Sequence, residues 1–163
     1  MAPVRTGSTA DSRVLVLGVG NLLMGDEGVG IHALRMLEQE GSLPSSRLLD
    51  GGTGGIYLLE DIQTAKSIVM IDATRDGLPA GTVRVLTPTT PHAIPQGLSA
   101  HDFGLKDLFA AAALLDRMPD IHLVTVSVDS VRPMCLELSE PVAAALPEVL
   151  AVVHELVCAS WRA

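Results

Sequence analysis

Uninterrupted apolar runs alternate along this chain with segments whose apolar residues recur every three or four positions. Val14 to Val19 (VLVLGV) is apolar throughout and bounded by glycine, the pattern of a strand buried on both faces of a parallel sheet. From Gly28 to about Glu40, Val29, Ile31, Leu34 and Leu37 fall on one side of a helix that Gly41 stops. Arg47 to Asp50 reads as a short strand, Ile56 to Gln63 as a short helix, and Ser67 to Asp72 (SIVMID) as a third apolar strand. Gly81 to Leu86 predicts a fourth strand of edge character, because Val83 and Val85 alternate with Thr82 and Arg84. Thr87 to Ala100 holds three prolines and Gly97 and is expected to be a long loop that closes over a binding partner. A helix then runs to about Met118, with Leu105, Leu108, Phe109, Ala112 and Leu115 on one side. Ile121 to Val128 is the last strong strand, and Ser139 to Val157 is helical in pattern, with a break expected near Leu146 because of Pro147.

This order of elements predicts an α/β fold, a three-layer α/β/α single domain built on a mostly parallel, twisted sheet of about five strands. The domain is expected over residues 13–163, behind a flexible leader at 1–12. Of the 163 residues 48% are hydrophobic but only 2% aromatic, so the core must be aliphatic. A net charge of -8 argues against a nucleic-acid partner, since backbone phosphates demand clustered Lys and Arg. Cys135 and Cys158 lie far apart with no CxxC spacing, which argues against a disulfide framework or a thiolate zinc site. The leader has no apolar signal region, and no apolar run approaches the ~20 residues that span a bilayer. No membrane is expected, and a reducing cytoplasm is the expected setting.

Candidate chemistry gathers at the strand ends. The first strand runs into Gly18-Val-Gly-Asn-Leu-Leu-Met-Gly-Asp-Glu-Gly-Val-Gly30, a glycine-rich turn without the Lys-Ser or Lys-Thr of a phosphate loop. A dinucleotide fingerprint would put glycine where Leu23 stands, and Asp26 and Glu27 would repel a pyrophosphate. Two adjacent carboxylates point instead to a metal cation or to carboxylate acid/base chemistry. Glu27, Asp50 and Asp72 all fall at or just after carboxyl ends of strands, where open α/β sheets bind ligands, and His101 follows the long loop. Each has an ordinary reading too: Asp26 and Glu27 suit a helix N-terminus, Asp50 and Asp72 suit turns. Jointly, Glu27, Asp72 and His101 make a familiar ligand shell for a divalent metal with open positions. No GxSxG elbow exists, and Ser99 lies too close to His101 along the chain to suggest a separate triad.

The residues Leu17-Gly-Val-Gly-Asn-Leu-Leu-Met-Gly-Asp-Glu-Gly-Val-Gly30, Asp50-Gly-Gly-Thr-Gly-Gly55, Ile71-Asp-Ala73 and His101 with Gly104-Leu105 occur here in that order. From Arg13 to about Val128 the chain resembles the endopeptidases that mature the large subunit of nickel-iron hydrogenases. The resemblance implies a hydrolase, often classed with aspartic-type peptidases, that removes a C-terminal extension from the large-subunit precursor after nickel insertion. It implies that Glu27, Asp72 and His101 contact the metal and serve catalysis, with Asp50 as a supporting acid. Nickel would be carried by the precursor, and other divalent metals can occupy the site in the isolated protein. Other hydrogenase maturation proteins are further expected partners. The competing expectation is a non-catalytic nickel-binding maturation chaperone, which the same three ligands would also suit.

Overall fold

The computed structural model describes residues 4–6, 14–43, 45–53, 55–99, 105–114 and 119–162. Six strands, β1 (Val4–Thr6), β2 (Val14–Val19), β3 (Ser46–Gly52), β4 (Ser67–Thr74), β5 (Val83–Leu86) and β6 (Asp120–Ser127), form one sheet in the order β1-β3-β2-β4-β6-β5. β3, β2, β4 and β6 run parallel, and β1 and β5 close the two edges antiparallel. The sheet therefore has one strand more than expected. The extra strand comes from the leader, where Val4–Thr6 pairs with Leu48 to Asp50, so the leader is not wholly a frayed segment. As its alternation predicts, β5 lies at an edge.

Strand periodicity sorts the core into two halves. Val14 and Val16 of β2, Val69, Ile71 and Ala73 of β4, and Val124 and Val126 of β6 pack with helices α1 (Val29–Glu40) and α4 (Glu140–Arg162). The intervening Leu15, Leu17, Ile68, Met70, Ile121 and Leu123 face helices α2 (Leu59–Thr64) and α3 (Leu105–Leu114) through Ile62, Phe109 and Ala112. Helices on both faces bury β2 and β4 along their whole length, hence their unbroken apolar runs. α1 ends as its sequence predicts: Gly41 adopts φ 60° and returns its N–H to the Leu37 carbonyl.

Two expectations fail in α4. The helix does not break near Leu146 but continues through Pro147 for 23 residues. Proline in a helix interior costs about 3 kcal/mol. Against this, Val142, Leu146, Val149, Leu150, Val153 and Val157 are buried beside the sheet, at about 1.5–3 kcal/mol each. Burial wins. The same helix is long and apolar enough to cross a bilayer, contrary to the reading that no segment is. Its composition follows from the face it packs into the core.

The long loop is no free lid. Its second half is pinned through buried Ile94 and Leu98, an antiparallel bridge from Leu98 to Thr74, and the Arg75 N–H bonded to the Gly97 carbonyl at 2.9 Å.

Candidate active site

The glycines after β2 serve close packing. A Cβ on Gly30 would sit 2.3 Å from the Ile71 carbonyl oxygen and 2.4 Å from that of Val19, so the first turn of α1 lies directly on the ends of β2 and β4. Gly20, at φ +143°, would carry a Cβ 1.9 Å from the Glu27 carbonyl oxygen. With glycine there the loop closes tightly. The Asn21 N–H reaches the Glu27 carbonyl at 3.3 Å, the Gly20 N–H reaches that of Gly52 at 3.0 Å, and the Asn21 side chain accepts the Leu23 N–H at 3.0 Å. The loop leads into a 3-10 turn, Gly25–Gly28, that packs against β4, and this turn carries both acids.

Asp26 and Glu27 have different fates. Asp26 is buried, and its carboxylate accepts the Ser139 N–H at 2.6 Å and the Ser139 hydroxyl at 2.8 Å. Ser139 immediately precedes α4, and its carbonyl accepts the Ala143 N–H at 2.8 Å. Asp26 thus ties the turn to the start of the terminal helix, where negative charge is favoured. Glu27 is half-buried, and no donor among the described residues occupies its carboxylate.

Asp72 lies on β4 and is fully buried. Strand alternation places it on the α2/α3 face, paired with Thr125 and followed on that face by Thr74, which pairs with Ser127. All four are buried, making a polar cluster at the carboxyl ends of β4 and β6 beyond the aliphatic Ile68, Met70, Ile121 and Leu123 on the same face. The Ser127 hydroxyl has no partner among the described residues. The Ser99 hydroxyl donates to Asp72 Oδ1. The pinned half of the long loop thus delivers Ser99 to the acid and fixes its orientation. Ser99 enters the sequence reading only as a poor nucleophile, and no local motif marks it as a support.

Asp50 is placed differently. Its Oδ1 accepts the Gly52 N–H at 2.9 Å, the geometry of a turn former, and Gly52 takes φ 49°. Alternation from Leu48 and Leu49 sends its side chain to the α1/α4 face, opposite that of Asp72. His101 lies outside the described residues. Of the two remaining acids, Asp72 lies on β4 and Glu27 on the 3-10 turn after β2, which packs against β4. Among the described residues no three His, Cys, Asp or Glu side chains form a set able to hold a metal; the two oxygen donors need a third ligand from elsewhere.

Two recesses flank the sheet. One of about 380 Å3, lined in part by Thr74, Asp76, Arg84 and Thr125, opens beside the end of β4 that carries Asp72. The larger, about 780 Å3, lies at the opposite end of the strands against Lys66, Asp120 and Ser160, away from Asp72.

A segment absent from the sequence reading braces the site. Residues 132–139 lie along the glycine-rich loop, with the Cys135 N–H bonded to the Leu23 carbonyl at 3.2 Å and the Gly25 N–H to that of Cys135 at 2.8 Å. His32 Nε2 meets the Leu136 carbonyl at 3.1 Å. Arg132 covers Gly25 and donates to the Glu137 carbonyl at 2.8 Å.

Comparison with known proteins gives concordant likenesses. The profile of the hydrogenase maturation protease family (HycI) matches residues 31–156, a span that includes Asp50, Asp72 and His101 and begins after Glu27. The hydrogenase expression/formation protein HupD of Thiocapsa roseopersicina is 40% identical over 125 residues, 75% of this chain and 56% of that protein. The chain thus spans little more than half of that relative. The hydrogenase 2 maturation protease of Escherichia coli is 34% identical over 151 residues, 88% of this chain and 92% of that one. Among solved structures, the hydrogenase maturating endopeptidase HybD of E. coli superposes with a TM-score of 0.81 at 31% identity, covering 91% of this chain and 93% of that one.

Proposed function

The chain belongs to the hydrogenase maturation protease family, and on that premise we propose that it is an endopeptidase that removes the C-terminal extension of a nickel-iron hydrogenase large-subunit precursor. In this reading the precursor's own nickel, once inserted, is recognised by Glu27, Asp72 and His101, so that specificity comes from coordination and an unloaded precursor is left uncut. The observation that carries it is that Asp72, buried and oriented by Ser99, lies on β4, the strand against which the turn bearing Glu27 packs. Two acids held on rigid backbone, one of them unengaged, suit the capture of a substrate-borne cation.

Hydrolysis adds water to the scissile carbonyl carbon, breaks the C–N bond and returns a proton to the leaving nitrogen. Precursor-borne nickel would supply Lewis-acid chemistry there, polarising that carbonyl or activating the water. Asp26 and Asp50 are both engaged by backbone N–H groups and serve the framework, which leaves Glu27 as the acid nearest in character to a general base. Two unpaired cysteines suit a cytoplasmic location.

The test is the Glu27→Gln and Asp72→Asn variants, incubated with nickel-loaded precursor and followed by product mass. Each is expected to bind nickel more weakly and to release little or no C-terminal peptide. Full processing by Glu27→Gln despite lost nickel affinity would end the coordination reading. Nickel-dependent binding without any cleavage by the wild type would favour a chaperone.

A further inference from the structure

The loop that leads to Glu27 carries part of an exposed apolar rim. Leu23, Met134 and Leu136 are 51%, 85% and 59% exposed. The segments that carry them are joined by backbone hydrogen bonds, Cys135 N–H to Leu23 carbonyl and Gly25 N–H to Cys135 carbonyl. The three side chains therefore ride on one unit, and that unit includes the loop closed between Asn21 and Glu27. It is braced from beneath by the Asp26–Ser139 pair, by His32 against Leu136, and by Arg132 over Gly25. Exposure here is that of a supported surface.

Met134 sharpens the point. Its φ of 59° makes it the non-glycine residue that adopts the left-handed region among the described residues. That conformation strains an L side chain and favours glycine or asparagine. If only the turn mattered, glycine would serve better. Met134 instead holds a flexible thioether in solvent from a backbone conformation that glycine adopts more easily, and strained residues of this kind concentrate at functional surfaces.

We propose that Leu23, Met134 and Leu136 form the docking surface for the folded hydrogenase large-subunit precursor, seated against an apolar patch of the precursor beside its metal site. The inference rests on the protease reading above and adds the surface by which the substrate is held. Continuity selects this occupant: a folded protein that presents a metal to Glu27 crosses the rim carried on the same hydrogen-bonded unit. A second copy of this chain would instead cover the Glu27 loop and compete with substrate. Methionine and leucine give a compliant apolar contact, suited to a surface that grips a protein without reading a side-chain sequence.

Two variants test it, Leu23→Asp combined with Leu136→Asp, and Met134→Gly. Each is compared with wild type for affinity to immobilised nickel-loaded precursor, for KM and kcat of peptide release, for thermal midpoint and for sedimentation. The double variant is expected to bind the precursor about 10-fold or more weakly, with KM raised in parallel and kcat within about twofold. Met134→Gly, which relieves the backbone, is expected to lose affinity while its thermal midpoint stays level or rises. Unchanged affinity in both variants would overturn the proposal, as would an affinity loss in Met134→Gly matched by a fall in its thermal midpoint. Self-association of the wild type, abolished by the double variant with precursor binding intact, would overturn it too by assigning the rim to a dimer. Failure of the protease reading has a separate signature: wild type that binds the precursor yet releases no peptide.

Discussion

Replacing Asp26 separates a framework acid from a chemical one. Its carboxylate accepts two hydrogen bonds from Ser139, at 2.6 and 2.8 Å, and is 4% exposed. Asp26→Ala removes both bonds and the negative charge that faces the start of α4. Hydrogen bonds to a charged group contribute about 1.5–3 kcal/mol each, and half-buried Ser139 recovers part of the loss from water, which puts the net cost at about 2–4 kcal/mol. For a chain of this size that lowers the thermal midpoint by about 4–16 °C. Asp26→Asn is the informative partner. Its amide oxygen can accept the Ser139 N–H and its NH2 can donate to the Ser139 oxygen, so both contacts survive and only the charge is lost. The expected cost is about 1 kcal/mol or a little more, with peptide release within a few-fold of wild type. Thermal and urea unfolding with circular dichroism, run beside the precursor cleavage assay, read both quantities. An Asp26→Asn protein that keeps its stability but loses cleavage by about 100-fold or more would refute the reasoning and put Asp26 in the reaction.

Other substitutions probe the supports one at a time. Ser99→Ala should weaken nickel binding and slow peptide release by about 10- to 100-fold, as loss of a ligand-orienting hydrogen bond does, while Ser99→Thr, which keeps the hydroxyl, should restore both; isothermal titration with nickel and single-turnover cleavage check this, and wild-type behaviour of Ser99→Ala would contradict it. Gly20→Ala would drive a Cβ into the Glu27 carbonyl and should destabilise by about 2 kcal/mol or more in urea unfolding. Pro147→Ala, at an exposed position of α4, restores a backbone donor and should stabilise by about 1–3 kcal/mol; a lower thermal midpoint would show that the helix depends on the proline geometry.

The central strands were legible because burial on both faces forces an unbroken aliphatic run, and the ends of those runs bring Glu27 and Asp72 forward as candidates from the sequence alone. The β5 edge was legible for the converse reason, since Thr82 and Arg84 interrupt its apolar positions. Local pattern could not reach what distant segments decide. Val4–Thr6 is too short to carry a period, yet β3 offers it an open edge. Pro147 obeys the energy of a long buried face rather than its own propensity. Asp26 reads as a cap for the helix that follows it, whereas the helix start it binds is Ser139, 113 residues away. Ser99 and the 132–139 segment were missed on the same ground, because a side chain that orients another residue across the fold leaves no spacing signature.

The most direct test of the central claim is the mass of the large-subunit precursor after incubation with the wild-type protein, with and without nickel loaded into the precursor. Loss of a C-terminal peptide from the loaded precursor alone is the predicted result; equal cleavage of the nickel-free precursor would contradict recognition through the substrate's metal.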